Sequence, residues 1–289
     1  DLAIRVEYFG DEIESVHEIE GWPDLRRRLE EDRRCFGFFH PALPEEPLVF
    51  VEVALTQQTV THIDALINPH VSEQDPYAAD TAMFYSINNA LRGLRGISFG
   101  NFLLKQVLSE LSAELPSLKR FVTLSPMPRF ADSLDALLAG KIKDWPLARV
   151  EEVLGDFKKP LLAEHPQADS ACQAVQTMLQ ADVLPEETLL GEVLVRLALL
   201  YITALEKSPG ICCDPVASFH LANGAILERI NPYADRSANG LRRSYGVMVN
   251  YRYDPDQVVN NHEAFVHEGR IAMSRTVQRE YDRHIVGKQ

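Results

Sequence analysis

Apolar residues recur along the first half of the chain with periods that alternate between those of a strand and a helix. Residues 48–55 are rich in β-branched side chains and predict a mostly buried strand, and residues 82–87 predict a second. Between residues 101 and 115 the apolar positions recur every three or four residues, as in a helix packed on one face. Residues 120–124 predict a third strand. This order predicts a βαβ-like unit and an α/β fold class.

Weaker patterns precede these elements. Residues 1–9 alternate as a strand does, and residues 24–36 (DLRRRLEEDRRCF) predict a helix. The basic run at residues 26–28 stands among acidic residues, so we interpret it as a solvated helix face. A loop before residue 48 is predicted from three prolines: Pro41, Pro44 and Pro47.

The second half begins with a long helical region. Residues 131–208 have helical periods broken by prolines, and we interpret them as a helical insertion that packs over the sheet. From Pro215 strands are expected to return, at 226–231 and 245–253, followed by a final helix at 263–283. We therefore expect one domain over residues 1–289, with an insertion at approximately 131–208.

Composition excludes several classes of protein. The 289 residues include 42 Asp and Glu against 29 Lys and Arg, a net charge of −13, which disfavours nucleic acid as a partner. No run of about 18 apolar residues predicts a membrane span. The chain starts without a signal-peptide pattern or an initiator Met and ends without a peroxisomal signal, so the expected location is cytoplasmic, or mitochondrial if the start is trimmed. The four cysteines lack the CxxC spacing of a zinc site.

The segment before the predicted helix at 102–115 has the composition of an anion-binding loop. Glycines ahead of a helix N-terminus let backbone N–H groups approach a phosphate closely. The loop lacks the Gly-Lys-Ser/Thr of a Walker loop and misses the GxGxxG spacing, so neither nucleotide hydrolysis nor dinucleotide binding is favoured. The spacing Arg95-x-x-Ser98-x-Gly100 resembles the pyrophosphate loop with which acetyltransferase-like proteins bind coenzyme A; a glycine-rich helix start without a ligand is the alternative. The expected binding residues are Arg95, Gly96, Ile97, Ser98, Phe99, Gly100 and Asn101.

Three longer segments, 84–107, 121–130 and 214–253, carry a more specific resemblance. They contain Leu-Ser-Pro-x-Pro and Phe-His-Leu-x-Asn-Gly-Ala, and their order resembles the C-terminal catalytic domain of malonyl-CoA decarboxylase. The resemblance implies an acetyltransferase-like fold, α/β (α+β), with a mixed, mostly antiparallel sheet flanked by helices. It implies conversion of malonyl-CoA to acetyl-CoA and CO2. The family's N-terminal four-helix domain, which helps oligomerisation, is not evident in this sequence, so a homo-oligomer is left open.

The implied reaction limits what the protein must supply. Loss of CO2 pushes an electron pair into the thioester, which is itself the electron sink, so we expect no metal and no other cofactor, coenzyme A being part of the substrate. The site must stabilise the oxyanion of the enolate, donate a proton to carbon and hold the leaving carboxylate in a weakly solvated place.

The resemblance implies that a serine and a histidine perform this chemistry. Ser125 ends a predicted strand in a Ser-Pro-x-Pro turn, and the family's motif histidine aligns with His220. We expect His220 to deliver the proton while Ser125 orients the malonyl carboxylate. Without the resemblance, a turn serine and a core histidine are the simpler interpretations.

Further positions follow from the same resemblance. Ser86 and Tyr253 are expected to line the acyl pocket, and Ser98 stands where some family members carry a glutamate of the active site. Two other functions are weighed against decarboxylation. An acyl-CoA-dependent acetyltransferase would need an acceptor, and a non-catalytic acyl-CoA-binding protein would lose nothing but affinity in Ser125→Ala or His220→Ala.

Overall fold

The computed structural model describes residues 21–40, 43–89, 100–181, 188–204 and 212–286. The chain divides into two compact units. The first comprises Asp1–Ser125 and Tyr251–Pro255, and the second comprises Pro126–Asn250 and Asp256–Gln289. The predicted single domain with a helical insertion at about 131–208 stays a prediction, and the predicted strand at 1–9 lies outside the described residues.

Strands and helices alternate in the first unit, and helices predominate in the second. The strands of the described residues are β1 (Arg33–His40), β2 (Leu43–Thr56), β3 (Thr81–Asn89), β4 (Arg120–Thr123), β5 (Ser125–Pro126), β6 (Ile226–Asn231) and β7 (Met248–Tyr253). The helices are α1 (Trp22–Arg28), α2 (Asp64–Ile67), α3 (Gly100–Glu114), α4 (Phe130–Leu138), α5 (Leu147–Leu154), α6 (Lys158–Glu164), α7 (Ala171–Leu179), α8 (Thr188–Ala204), α9 (Pro215–Ala222), α10 (Ala238–Ser244), α11 (Val258–Glu268) and α12 (Arg275–His284).

A mixed sheet forms the first unit, with the strand order β1-β2-β3-β4-β7. Strand β2 pairs antiparallel with β1 and with β3, and β4 pairs antiparallel with the end of β7, where Phe121 faces Tyr253. Strands β3 and β4 are parallel, with Phe84 opposite Thr123. Because α3 connects these two strands, the predicted βαβ-like unit is confirmed, as are the mixed α/β class and the mostly antiparallel sheet.

Burial in the first unit follows the predicted periods. Residues 51–56 of β2 and 81–86 of β3 are buried at every position, as in strands covered on both faces. Helix α3 buries a single face, so its predicted one-sided packing is confirmed. The buried residues on and just after this helix are Leu104, Val107, Leu108, Leu111 and Leu115.

The segment before β2 differs from the prediction. Helix α1 ends at Arg28, so the predicted helix at 24–36 is wrong in its second half, where β1 begins at Arg33. Phe36 is buried and faces Val51, and this strand pairing outweighs the local helical preference. The predicted proline loop is also wrong at Pro44 and Pro47, which lie in β2. Pro47 faces Phe39 where the β1–β2 register shifts, the kind of irregularity that tolerates proline.

The basic run of α1 is the predicted solvated face only at Arg26, which is exposed. Arg27 and Arg28 are each 2% exposed. The guanidinium of Arg27 donates to Asp32 at 2.6 and 3.0 Å, and that of Arg28 donates to Asp24 at 2.8 Å and to Glu52 of β2 at 3.1 Å. Burial acts to lower the pKa of Arg28, but these carboxylates outweigh it and the net shift is upward. Asp24, Asp32 and Glu52 are therefore buried partners of these arginines, and Glu52 ties α1 to the sheet.

The second unit is built around α8, whose residues are buried almost all round, as in a central core helix. Helices α4, α5 and α12 and strand β6 contact it. No helix of the described ranges is long and apolar enough to cross a membrane.

The predicted strand at 226–231 is confirmed as β6, and that at 245–253 is confirmed from Met248 as β7, with α9 preceding them at residues 215–222. The predicted helix at 263–283 is two helices, α11 and α12. Gly269 ends the first in the left-handed region (φ 67°), and the side chain of Ser274 caps the second by accepting from the Val277 N–H.

The ion pairs of Arg28 predict a large difference between two arginine substitutions. Arg28→Met leaves Asp24 and Glu52 buried without this cation, which should lower the free energy of unfolding by about 3–5 kcal/mol. Arg34→Met removes a partly exposed pair with Glu114 and should cost about 1 kcal/mol or less. Urea unfolding of both variants measures the difference, and equal midpoints would contradict the role assigned to the buried pairs.

Candidate functional site

Three of the predicted site residues lie on adjoining strands of the first unit. Ser86 belongs to β3, Ser125 follows β4, and Tyr253 ends β7. Phe84 faces Thr123 in the parallel pair, so Ser86 and Ser125 each stand two residues beyond a paired position. Tyr253 faces Phe121 across the antiparallel pair. The sheet therefore brings these three residues to neighbouring strands, whereas His220 belongs to the second unit.

The prediction that Ser125 ends a strand is wrong. Strand β4 ends at Thr123, and Ser125 begins the two-residue strand β5 with Pro126. The side chain is buried, and its hydroxyl donates to Thr123 Oγ1 at 2.9 Å. Thr123 Oγ1 also accepts the backbone N–H of Tyr251 at 3.2 Å. These bonds hold the serine side chain in one orientation.

The other two residues of this group are equally buried. Ser86 is 1% exposed, and its Oγ accepts a hydrogen bond from Asn88 Nδ2 at 2.8 Å. Burial raises the pKa of Tyr253 well above its ordinary value, so its phenol is neutral. The structure thus buries both side chains without testing their predicted contact with an acyl group.

Most of the predicted coenzyme A loop lies outside the described residues. This applies to Arg95, Gly96, Ile97, Ser98 and Phe99. Gly100 and Asn101 are described as the first residues of α3. The position of a helix start directly after the loop agrees with the predicted order of elements, and the binding role itself stays a prediction.

His220 lies in the last turn of α9, a helix fixed at its start by a buried cap. Asp214 accepts the backbone N–H groups of Val216 at 2.9 Å and Ala217 at 3.1 Å, and Pro215 occupies the first turn. The second carboxylate oxygen of Asp214 accepts the hydroxyl of Tyr201 from α8 at 3.2 Å. Helix α9 is therefore anchored to the core of the second unit.

The imidazole of His220 is neutral. It is 3% exposed, and burial lowers its pKa from the ordinary 6.5 to about 3. The ring meets that of Phe219 edge-on, with centroids 5.1 Å apart. One ring nitrogen of a neutral imidazole carries a proton and the other accepts one. Such a ring can give its N–H proton to a strong base, which leaves an imidazolate, or take a proton from a hydroxyl at its other nitrogen, which leaves an imidazolium.

The end of α9 is a Schellman motif, in which a glycine reverses the chain and the last carbonyls are satisfied by backbone N–H groups. The Ala225 N–H donates to the carbonyl of His220 at 3.0 Å, and the Gly224 N–H donates to that of Leu221 at 3.0 Å. Gly224 has φ +78°, and a Cβ there would lie 1.9 Å from the carbonyl oxygen of Val258. Glycine is therefore required at this position by both conformation and space.

Helix α11 holds this turn from the other side. His262 Nδ1 lies 2.5 Å from the carbonyl oxygen of Ala222, so it carries the proton and donates it. Asn261 Nδ2 donates to the carbonyl oxygen of Gly224 at 3.1 Å. Helices end with unpaired carbonyls, and α11 satisfies the one that the Schellman bonds leave at Ala222. The backbone turn that follows His220 is thus fixed by a second helix.

The sequence pattern predicts no role for Asn223, which lies between His220 and Gly224. It is 3% exposed, and its Nδ2 has no hydrogen-bond partner in the described parts of the chain. A buried donor without a partner costs about 1–3 kcal/mol. Asn-Gly at a helix end is an ordinary turn signal, so only the structure reveals the unpaired amide.

Within the described ranges, no group of three or more His, Cys, Asp and Glu side chains could hold a metal ion. The expectation that the chemistry needs no cofactor is not tested by this and stays a prediction.

Comparison with known proteins gives consistent results. The family model described as malonyl-CoA decarboxylase C-terminal domain matches residues 11–288. Mitochondrial malonyl-CoA decarboxylase of Anser anser anser is 37% identical over 270 residues, which are 91% of this chain and 53% of that protein. That of Rattus norvegicus is 34% identical over 272 residues, 92% of this chain and 54% of that protein. The chain thus spans about half the length of these relatives.

Solved structures agree. A malonyl-CoA decarboxylase from Rhodopseudomonas palustris superposes with a TM-score of 0.79 at 40% identity, covering 93% of this chain and 61% of that one. One from Agrobacterium vitis gives 0.78 at 40% identity, covering 93% and 62%.

The fixed end of α9 predicts that two glycine substitutions differ in effect. Gly224→Ala drives a Cβ into the Val258 carbonyl at positive φ and should cost about 3 kcal/mol or more. Gly140→Ala is also at positive φ (+68°), but its nearest neighbour is the flexible side chain of Leu147 at 3.1 Å, so it should cost about 1–2 kcal/mol. Chemical unfolding of the two variants tests this, and a Gly224→Ala loss no larger than the control's would refute the constraint.

Proposed function

The chain belongs to the malonyl-CoA decarboxylase C-terminal domain family, and we propose that it decarboxylates malonyl-CoA to acetyl-CoA and CO2. The observation that carries the proposal is His220, a buried and neutral histidine in the Phe-His-Leu-x-Asn-Gly-Ala motif of a chain that matches this family over nearly its whole length. The activity is a proposal for this chain because it spans only part of its relatives.

In the proposed reaction the bond between the carboxylate and the α-carbon breaks, and its electron pair moves into the thioester to give an enolate. The enolate then takes a proton at the α-carbon. Its carbon is a far stronger base than an imidazole anion, so the N–H of neutral His220 is acid enough to protonate it. The ring is left as an imidazolate, which regains a proton from water before the next turnover. A buried site favours the loss of CO2, because it excludes the water that would stabilise the charge of the carboxylate.

Ser125 is proposed to orient the malonyl carboxylate and to work as the hydrogen-bonding partner of the catalytic histidine. Its hydroxyl donates to the hydroxyl of Thr123, a neutral group. Ser86 and Tyr253 are proposed to line the acyl pocket, where uncharged side chains suit a reaction that gains rate from desolvation.

Binding of coenzyme A is proposed at residues 95–101, with the pyrophosphate on backbone N–H groups at the start of α3. Ser98 in place of a glutamate leaves this chain without a carboxylate at that position. No metal or other cofactor is proposed, because the thioester itself accepts the electron pair.

Location and assembly remain predictions. The expected compartment is the cytoplasm, and the mitochondrial names of the goose and rat relatives favour the mitochondrion as the alternative. A homo-oligomer stays open.

Turnover of malonyl-CoA by the purified 289-residue chain, without any acceptor, tests the proposal. We expect acetyl-CoA, followed by mass, to form, and His220→Ala and Ser125→Ala each to lower kcat by about 10²-fold or more. Matched controls are His70→Ala, at an exposed site, and Ser112→Ala, whose hydroxyl bonds only to the Leu108 carbonyl of its own helix. Both should keep wild-type rates.

Three results would contradict the proposal. Intact malonyl-CoA after incubation with folded wild-type chain would refute decarboxylation by this chain. Turnover that survives in His220→Ala would refute the assigned proton donor. Free coenzyme A and an acylated amine, formed only when an amine acceptor is added, would indicate acyl transfer instead.

A further inference from the structure

We propose that the side-chain amide of Asn223 is a catalytic group of the same site: its Nδ2 donates a hydrogen bond to the thioester oxygen of the bound acyl-CoA. This inference rests on the proposed decarboxylation and adds to it the group that stabilises the enolate oxygen.

The first support is the unsatisfied donor itself. Buried side-chain donors are paired in the large majority of cases, so an unpaired one calls for a partner that is absent from the free protein. The Nδ2 donors of two other asparagines of the second unit are paired: Asn231 Nδ2 donates to Asn250 Oδ1 at 2.8 Å, and Asn261 Nδ2 donates to the Gly224 carbonyl at 3.1 Å. Asn223 Nδ2 differs from them in having no partner among the described residues. What it lacks is an acceptor, and a thioester oxygen is one.

The second support is position. Asn223 follows His220 by three residues, and its φ of −91° and ψ of 11° continue the turn of α9 closely enough to keep the two side chains adjacent. In the substrate, the α-carbon that takes the proton and the oxygen that takes the charge are both bonded to the thioester carbonyl carbon. Two groups that serve these neighbouring atoms must themselves be neighbours, and one helical turn provides that spacing.

The third support is rigidity. The Asn223 backbone N–H donates to the carbonyls of Phe219 and His220, each at 3.1 Å, and the next residue is Gly224, held against Val258. A donor that acts on a developing oxyanion is effective when it is already in place, because no reorganisation accompanies the reaction. The Schellman turn supplies such a fixed backbone.

The chemistry selects the thioester oxygen over the malonyl carboxylate. A donor on the carboxylate would stabilise the charge that must disperse as CO2 leaves, and so would bind the ground state. A donor on the thioester oxygen strengthens as the electron pair of the breaking carbon–carbon bond moves to that oxygen. When His220 protonates the α-carbon, the pair returns and the carbonyl is restored.

The test compares Asn223→Leu and Asn223→Asp with wild type and with Asn239→Ala, a control at an exposed asparagine of α10. Asn223→Leu removes the donor at similar volume, and Asn223→Asp replaces it with an acceptor. Both should lower kcat about 10²- to 10³-fold. The dissociation constant of acetyl-CoA should change less than about threefold, because the hydrogen bond strengthens mainly when the oxygen becomes charged. Asn239→Ala should match wild type.

A spectroscopic measurement separates this role from a structural one. The infrared carbonyl band of bound acetyl-CoA, labelled with ¹³C at the thioester carbon, should lie at lower frequency in wild type than in either Asn223 variant. The unfolding midpoint of Asn223→Leu should not fall, because the substitution removes an unpaired buried donor.

The outcomes distinguish the two levels of the proposal. Active wild type with unchanged kcat and an unchanged carbonyl band in both variants would overturn the role of Asn223 and leave decarboxylation standing. Inactive wild type would refute decarboxylation and this inference with it. A lower kcat with the carbonyl band unmoved and a lower unfolding midpoint would assign Asn223 a structural role only, against the proposal.

Discussion

The part of the proposed site that lies in the second unit depends on one constraint, the close approach of Gly224 to the backbone carbonyl of Val258. A side chain at 224 has no room, since its Cβ would lie 1.9 Å from that oxygen. The contact brings α11 against the end of α9, where His262 and Asn261 donate to the carbonyls of Ala222 and Gly224. The segment that carries His220 and Asn223 is consequently held at both ends, by the Asp214 cap and by this turn.

Burial has opposite outcomes for different polar groups of this protein. Arg27 and Arg28 keep their charges in the interior because carboxylates lie within 2.6–3.1 Å of them. For His220 desolvation dominates, and burial makes the ring neutral. A neutral donor suits a reaction whose substrate brings its own negative charge and whose rate gains from a weakly solvated carboxylate.

Much of the fold was predictable from local pattern. The strands at 48–55 and 82–87, the one-sided helix α3 and the strand at 226–231 follow from period and β-branched content, which report burial directly. Strand β1 was not, because its pairing with β2 is a long-range contact that local composition does not encode. The same limit explains why the burial of Arg28 was not predicted. A basic residue among acidic ones has the same sequence pattern whether it is solvated or buried, and its partner Glu52 lies 24 positions away on a strand.

The site divides in the same way. Ser125 and His220 were found through a family resemblance carried by long motifs, whereas their residue types alone favoured a turn and a core position. Asn223 was inside the quoted motif, yet an unpaired amide is a property of three-dimensional surroundings. The Asn-Gly pair and the preceding Asp-Pro did contain the signals for both ends of α9, as a C-terminal glycine and an N-terminal cap.

Titration of the His220 ring by NMR, assigned by comparison with His220→Gln, tests most directly whether the fold holds a neutral imidazole at this position. With the pKa lowered to about 3, the ring signals should not change between about pH 5 and pH 8, the range in which an ordinary histidine titrates. Because the unfolded chain binds the proton near pH 6.5 and the folded chain does not, the free energy of unfolding attributable to this residue should be complete above that pH and fall as the pH drops below it. An ordinary titration near pH 6.5 in the folded protein would contradict the account, because it would mean that the ring is solvated.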